Sequence, residues 1–276
     1  MGDKELYKIV NDIKELRIQG AERIARAAAD AWESAKDKKL ASRLLAGTRP
    51  TEPMLKNVIK YLNLFGDTET IDTYIDTTLD KIVKFGSALI RNNSIVYTHC
   101  HSSTVEKVLE FAHEEGKRFQ VNVTETRPNY QGRITATNLA KKGIKVNFFV
   151  DSAALSALRN ADIMLIGADA ITSSGEVVNK IGSGLFAKVA SDLEIPVYVA
   201  AHSLKVDPKT SYGVLEKIEK RSQGEVWSKR PRGVKIVDPV FEVIQKEHIN
   251  AVISEFGLVS PDLLVEKVKN TYQWMW

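Results

Sequence analysis

The sequence carries a single thiol, and its surroundings could do chemistry. Cys100 lies in Thr98-His99-Cys100-His101-Ser102-Ser103, directly after a short β-branched run and directly before a helical pattern. A cysteine there can be a small buried hydrophobe. It can also serve as an acid, base or nucleophile, because a following helix N-terminus and flanking imidazoles favour the thiolate. If the strand continues, His99 and His101 face opposite sides, so at most one shares a site with Cys100. A structural hydrogen bond is the alternative role for either imidazole. The three residues do not make a zinc pattern, since no fourth ligand is supplied, and no metal is expected.

Other reactive residues fall at matching places, each after a short apolar run. They are Thr124-Glu125-Thr126-Arg127-Pro128, Asp151, Gly167-Ala168-Asp169 and Asn179-Lys180-Ile181-Gly182-Ser183-Gly184. In an open parallel sheet, ligands bind beyond the carboxyl ends of the strands. A thiol, a guanidinium, two carboxylates and an ammonium would then converge on one edge. Asp169 reads as a cleft acid or as a turn cap. Arg127 is placed for a phosphate, which its planar fork matches, or for a surface ion pair of little worth. Asp151 reads as a helix cap first and a site residue second. Asn179 to Gly184 resembles a phosphate cradle without being a P-loop, which needs Gly-x-x-x-x-Gly-Lys-Ser/Thr. No Gly-x-Gly-x-x-Gly follows the first strand, which disfavours a dinucleotide; no cofactor is expected.

The elements that must position these residues are legible as periodicity. From Ser94 onward, strands over Ile95–Thr98, Phe119–Thr124, Val146–Val150, Ile163–Ile166 and Val197–Ala201 alternate with helices. Those helices run over Val105–Ala112, Ile134–Lys141, Ala153–Leu158 and Leu185–Leu193. This alternation predicts βαβ units and a parallel sheet with right-handed crossovers. Ser103-x-x-Glu106 reads as a capping box, and Gly116 and Gly143 as helix C-terminal glycines. Further strands are expected at Val234–Val237 and Ala251–Ile253, with a loop over Gln223–Gly233 and a last helix opened by Ser260-Pro261. Before Ser94 the pattern is helical. Leu6, Ile9, Val10, Ile13 and Leu16 form one stripe, and Ala21 to Trp32 is rich in strong helix formers. A third helix is expected after Thr51 as cap, with Pro53 in its first turn, and a fourth from Ile71 to near Asn92-Asn93.

Composition excludes several function classes. The 276 residues allow two structural units, and 43% hydrophobic with 27% charged residues is ordinary for a folded chain. The formal net charge of +4 is too small to argue for nucleic acid without a clustered basic face. The longest apolar runs fall far short of the ~20 residues of a membrane span. The N-terminus shows no signal-peptide core, and Leu6 fails the myristoylation pattern. One cysteine makes no internal disulfide. A cytoplasmic protein without direct nucleic-acid or membrane partners is the expectation.

Seven ordered motifs carry a resemblance. They are Gln19-Gly20-Ala21, Thr48-Arg49-Pro50-Thr51, Thr98-His99-Cys100, Thr124 to Pro128 with Gln131-Gly132, Gly167-Ala168-Asp169, Asn179 to Gly182, and Asp238-Pro-x-Phe-Glu-Val243. The chain resembles the family that joins the α, β and δ subunits of translation initiation factor 2B to two isomerases. These are methylthioribose-1-phosphate isomerase and archaeal ribose-1,5-bisphosphate isomerase. The resemblance implies an α/β protein with a helical N-terminal domain over 1–93. A Rossmann-like domain over 94–276, with a mainly parallel sheet, would carry the site and an oligomer interface. It implies a homodimer or higher homo-oligomer, a phosphorylated sugar or nucleotide as ligand, and initiation factor 2 as a possible partner.

The family isomerases use a Cys and an Asp as acid and base for aldose–ketose conversion, and the matching positions here are Cys100 and Asp169. Arg49, Arg127, Asn179 and Lys180 match positions that grip the substrate and its phosphate, joined by Gln19, Gly20 and Ala21. The isomerases carry Arg-Gly-Ala where this chain has Gln19-Gly20-Ala21. Losing one charge-assisted hydrogen bond of roughly 1.5–3 kcal/mol weakens affinity ~10–100-fold. The leading expectation is therefore an archaeal initiation-factor-2B-like regulatory-subunit homologue with a sugar-phosphate-type site. The alternative is an aldose–ketose isomerase acting on ribose 1,5-bisphosphate or a related pentose 1-phosphate.

Overall fold

A computed structural model describes residues 2–49, 51–212 and 223–276. Pro50, inside the Thr48–Thr51 motif, lies outside the described residues. The first helices are α1 (Gly2–Lys14), α2 (Ala21–Ser34), α3 (Lys38–Ala46), α4 (Pro53–Phe65) and α5 (Thr68–Ala88). The α1 stripe buries Leu6, Val10 and Ile13, as the 3.6-residue period requires. Along α2, Ala25, Ala28, Ala29 and Ala31 are buried, and their small side chains let α1, α4 and α5 pack close. The α3 helix was not expected; Asp37 starts it by accepting from the Leu40 N–H at 2.9 Å.

Two helix ends differ from expectation. The cap of α4 is Glu52 rather than Thr51, because the fixed φ of Pro53 begins the helix one residue later. Helix α5 stops at Ala88, where Leu89 and Ile90 close short i→i−3 bonds to Gly86 and Ser87 that end the α-turns before Asn92.

The sheet then assembles from β1 (Ile95–Thr98), β2 (Gln120–Thr124), β3 (Lys145–Phe149), β4 (Ile163–Ile166), β7 (Val197–Ala200), β10 (Ala251–Ser254) and β11 (Gly257–Val259). Its order is β11-β10-β7-β4-β1-β2-β3, parallel except for the β10–β11 hairpin. Helices α6 (Ser103–Glu114), α7 (Gln131–Lys141), α8 (Ala154–Leu158), α9 (Ser183–Asp192) and α10 (Pro261–Thr271) connect and cover it. The chain runs outward from β1 to β3 and returns to β4 on the other side of β1. Strand order therefore reverses between β1 and β4, which pair directly through Val96–Ile163 and Tyr97–Met164. That reversal opens a crevice at their carboxyl ends.

A second sheet stands on this edge, with strands β8 (Val206–Asp207), β5 (Ala170–Thr172), β6 (Val177–Lys180) and β9 (Phe241–Ile244) in that spatial order. The strand expected at Val234–Val237 does not form. Val237 is 79% exposed, Pro239 lacks a donor, and the ladder begins only at Phe241, opposite Lys180. The capping residue of α6 is Ser102 rather than Ser103, and its hydroxyl accepts from the Val105 N–H at 3.4 Å. Glu106 does not complete a box, because it bonds His101 and Asn138 instead.

One apolar cluster runs without a break from Leu6, Ile24 and Leu55 to Met164, Val197 and Leu264. The aromatic tail joins it. Trp274 lies edge-on to Tyr61 at 5.4 Å, and Lys60 Nζ donates to the carbonyls of Met275 and Trp276. The tail thus covers α4 of its own chain. Among the described residues, no helix is long and apolar enough to cross a membrane.

Candidate functional site

After β1 the chain turns sharply at Cys100, whose φ is +69°. Three contacts hold that turn. The Cys100 N–H donates to Thr126 Oγ1 at 2.9 Å, the Thr135 hydroxyl donates to the Cys100 carbonyl at 3.1 Å, and Sγ meets Gln131 Oε1 at 3.5 Å. The thiol residue is only 7% exposed. Gly132 explains how Gln131 reaches it. A Cβ on Gly132 would lie 1.8 Å from the Thr124 carbonyl oxygen, so only glycine lets the start of α7 abut the end of β2.

The strand does not continue past Thr98, and the two neighbouring imidazoles bond separate partners. His99 is buried, with Nδ1 2.7 Å from Thr124 Oγ1 and Nε2 3.0 Å from the Ile181 carbonyl. A carbonyl only accepts, so Nε2 carries the proton and Nδ1 accepts from the Thr124 hydroxyl. Burial outweighs the Ile181 bond and the Asp151 charge, and brings its pKa down to about 4. His99 is thus a neutral strut between the two sheets. His101 places Nδ1 3.0 Å from Glu106 Oε1 and 3.2 Å from Thr135 Oγ1. Asp151 does not cap its own helical turn. Val150 is the cap residue, and the Asp151 carboxylate reaches instead to the backbone of Thr126 and Arg127.

The opposite wall starts at the end of β4. A Cβ on Gly167 would come 2.6 Å from Ser102 Oγ, so glycine lets this strand end approach the start of α6. The turn to Asp169 is held by its carbonyls. Asn179 Nδ2 donates to Gly167 O at 3.0 Å, Lys205 Nζ donates to Ala168 O at 2.6 Å, and the Asp169 N–H donates to Val178 O at 2.9 Å. Asn179 and Lys180 therefore stand on strand β6 rather than on a glycine-rich loop. Asp169 lines an open cleft of about 640 Å³ with Thr51, Asp207, Thr210 and Glu242.

A smaller neighbouring cleft, about 220 Å³, is lined by Arg127, Gln131, Lys180 and Asp238. Lys180 Nζ lies 4.7 Å from the Phe241 ring centre. The Arg127 guanidinium donates to Tyr130 Oη and to the Val226 carbonyl, the latter at 3.3 Å. Two neighbouring clefts thus divide the candidate residues. Gln131 links the smaller one to Cys100, and Thr51 brings the Arg49 segment, itself buried, to the larger one.

Gln19 lines neither cleft. It is exposed, and its Nε2 turns back to the Leu16 carbonyl at 2.7 Å. Gly20, at φ +89°, and Ala21 lead into α2, where Glu22 does what the sequence reading missed. Its Oε1 accepts from His202 Nε2 at 3.0 Å and from the Thr104 hydroxyl at 3.2 Å, tying α2 to the turn after β7 and to α6. Burial opposes ionisation of Glu22, but the bond to His202 and the charges of His202, Lys205 and Lys107 outweigh it, holding the pKa at about 2. The signal for His202 and Lys205 was present: Ala201-His202-Ser203-Leu204-Lys205 follows a strand, like the other candidates. Among the described residues, no three His, Cys, Asp or Glu side chains cluster as metal ligands.

Comparison with known proteins adds to this geometry. The sequence profile of the initiation factor 2 subunit family matches residues 17–261. The chain is 37% identical to ribose 1,5-bisphosphate isomerase of Methanocaldococcus jannaschii, over 99% of this chain and 96% of that protein. It is 33% identical to the Pyrococcus furiosus protein of the same name, over 98% and 95%. The crystal structure of Pyrococcus horikoshii OT3 translation initiation factor eIF-2B superimposes with a TM-score of 0.84 at 27% identity, covering 94% of this chain and 98% of that one.

Proposed function

The chain belongs to the initiation factor 2 subunit family, and from that premise we propose that it is an aldose–ketose isomerase acting on ribose 1,5-bisphosphate. One observation carries the reading: Cys100 and Asp169 follow β1 and β4, which are hydrogen-bonded neighbours at the reversal of strand order. Adjacent strands are about 4.8 Å apart, a spacing that suits two groups acting on one small sugar. The full-length similarity to isomerases supports the same reading.

The reaction has a closed proton inventory. Converting a cyclic aldose 1-phosphate to its open 2-ketose moves one hydrogen from C2 to C1. It also moves one proton from the C2 hydroxyl to the ring oxygen as the C1–ring oxygen bond breaks. Two proton carriers suffice. Cys100 takes the hydrogen from C2 and returns it to C1; Asp169 carries the hydroxyl proton to the ring oxygen. Arg49, Arg127 and Lys180 supply cations for the phosphates, with Arg preferred where a fork meets phosphate oxygens. Asn179 and Lys205 hold the turn that presents Asp169.

Turnover of ribose 1,5-bisphosphate, followed by appearance of the ketose, tests this. Cys100→Ser and Asp169→Asn should each lower kcat on the order of 10³-fold, within the range of general acid–base catalysis. Intact turnover in either variant, or none in the wild type, sinks the assignment. One observation favours a regulatory subunit instead. Gln19, at the position of the isomerase Arg, is exposed and turned back on Leu16. That reading expects a phosphorylated sugar or nucleotide to raise the melting temperature without turnover, and binding to initiation factor 2. Either way, exposed Phe148, Val150 and Leu155 beside edge strand β3 suit a homo-oligomer contact, which light scattering would test.

A further inference from the structure

We propose that Asp151 is a positioning residue for Cys100, acting across the end of β2 through Thr126; this deepens the isomerase reading and rests on it. Asp151 lies at the carboxyl end of β3, two strands away from β1 in the sheet. Its Oδ1 accepts from the Thr126 N–H at 2.8 Å and its Oδ2 from the Arg127 N–H at 2.7 Å. Two successive backbone donors aimed at one carboxylate make a short anion nest.

The clamped turn is one the chain would not keep unaided. Thr126 has φ +62°, a region that β-branched residues rarely enter, because Cβ crowds the backbone. Charge-assisted bonds from two adjacent N–H groups are the kind of local constraint that holds such a conformation. The consequence appears at Thr126 Oγ1, which is 1% exposed as a residue and accepts from the Cys100 N–H at 2.9 Å. Cys100 is itself left-handed, at φ +69°. A carboxylate just beyond β3 therefore fixes a hydroxyl just beyond β2, and that hydroxyl fixes the backbone from which the thiol projects. The bond to the Arg127 N–H places Arg127 by the same device.

A double-mutant cycle tests the route. Asp151→Asn keeps the side-chain shape but offers an N–H to one of the two backbone donors, and Thr126→Val removes the hydroxyl alone. Each single change is expected to lower kcat about tenfold or more with a smaller change in KM. In kcat the double variant should be no worse than Thr126→Val, since both changes cut one chain of contacts, while the separate branch to Arg127 shows in KM. Thr126→Ser, which keeps the hydroxyl, should restore most of the rate. The same cycle is read in the iodoacetamide alkylation rate of Cys100, the only cysteine in the chain. There each single variant should react several-fold faster as the buried thiol loosens, again without additivity. This second readout needs no substrate, so it stands if the isomerase reading falls. Additive effects in alkylation, or unchanged alkylation in Asp151→Asn, would overturn the proposal.

Discussion

The two walls of the crevice are built in opposite ways. The Cys100 wall is the carboxyl end of β1, β2 and β3 in the seven-stranded sheet, and its precision comes from left-handed turns locked by side-chain acceptors: Thr126 for Cys100, and Asp151 for Thr126 and Arg127. The Asp169 wall is a separate four-stranded sheet, and its precision comes from buried donors, Asn179 and Lys205, aimed at carbonyls of the turn. One wall constrains a strained backbone chiefly from its N–H groups; the other fixes a turn chiefly from its C=O groups. The difference suits the proposed roles. A thiol that shuttles hydrogen between two carbons must be held closely, whereas a carboxylate that carries a proton between two sugar oxygens works beside an open cleft.

The sharpest way to break the first wall is Gly132→Ala. The new Cβ would meet the Thr124 carbonyl at 1.8 Å, and backbone cannot rotate away as a side chain can. We expect a loss of about 4 kcal/mol, read as a urea midpoint shift, together with loss of the Gln131–Cys100 contact. Gly167→Ala, on the second wall, meets Ser102 Oγ at 2.6 Å and Ser102 Cβ at 2.8 Å; only the hydroxyl can rotate away, so the start of α6 must give slightly and the cost should be about 2 kcal/mol. Equal costs would erase the distinction.

Acid should also act on the struts. His99 has a folded pKa of about 4 against an ordinary 6.5, so between those values the unfolded chain binds more protons. Stability therefore falls as pH drops from 6.5 towards 4, by about 3 kcal/mol in all. Glu22, depressed to about 2 from 4.5, adds a loss of similar size, also about 3 kcal/mol, between pH 4.5 and 2, again because the unfolded state takes the proton first. Melting temperature against pH should show both steps, and His99→Gln should remove the first.

How much of this was legible in the sequence follows the same division. Strands β1 and β4 stood out to the residue, because Ile95–Thr98 and Ile163–Ile166 are apolar runs bounded by polar turns. Their strand-end residues, Cys100 and Asp169, followed. The second sheet did not show, since Ala170–Thr172 and Val206–Asp207 are too short to display a period of two. Val234–Val237 had strand composition but no partner, because β-propensity measures fit to a neighbour rather than a property of the segment. Asp151 was misread for a similar reason. A local cap is the sequence-near use of an Asp, while its actual donors lie 24 and 25 residues earlier. The Glu22–His202 pair joins residues 180 apart, beyond any local pattern.

The second wall yields smaller effects, and they test whether its turn is held by hydrogen bonding or by charge. Asn179→Leu leaves the buried Gly167 carbonyl without its side-chain donor and should cost about 1–3 kcal/mol, with kcat falling more than the affinity for phosphate. Glu242→Gln is subtler. Its Oε1 accepts from the Gly184 N–H at 2.6 Å in the first turn of α9, so a glutamine keeps the acceptor and removes only the negative charge facing the helix N-terminus. Such a charge is worth about 0.3–1 kcal/mol, so the melting temperature should fall by no more than a few degrees. Removing that charge from the Asp169 cleft should also strengthen the binding of phosphorylated ligands, because one like charge near the anion is gone. A loss of several kcal/mol would instead mean that this wall, like the first, depends on a carboxylate clamp, and the contrast between donors and acceptors would fail there.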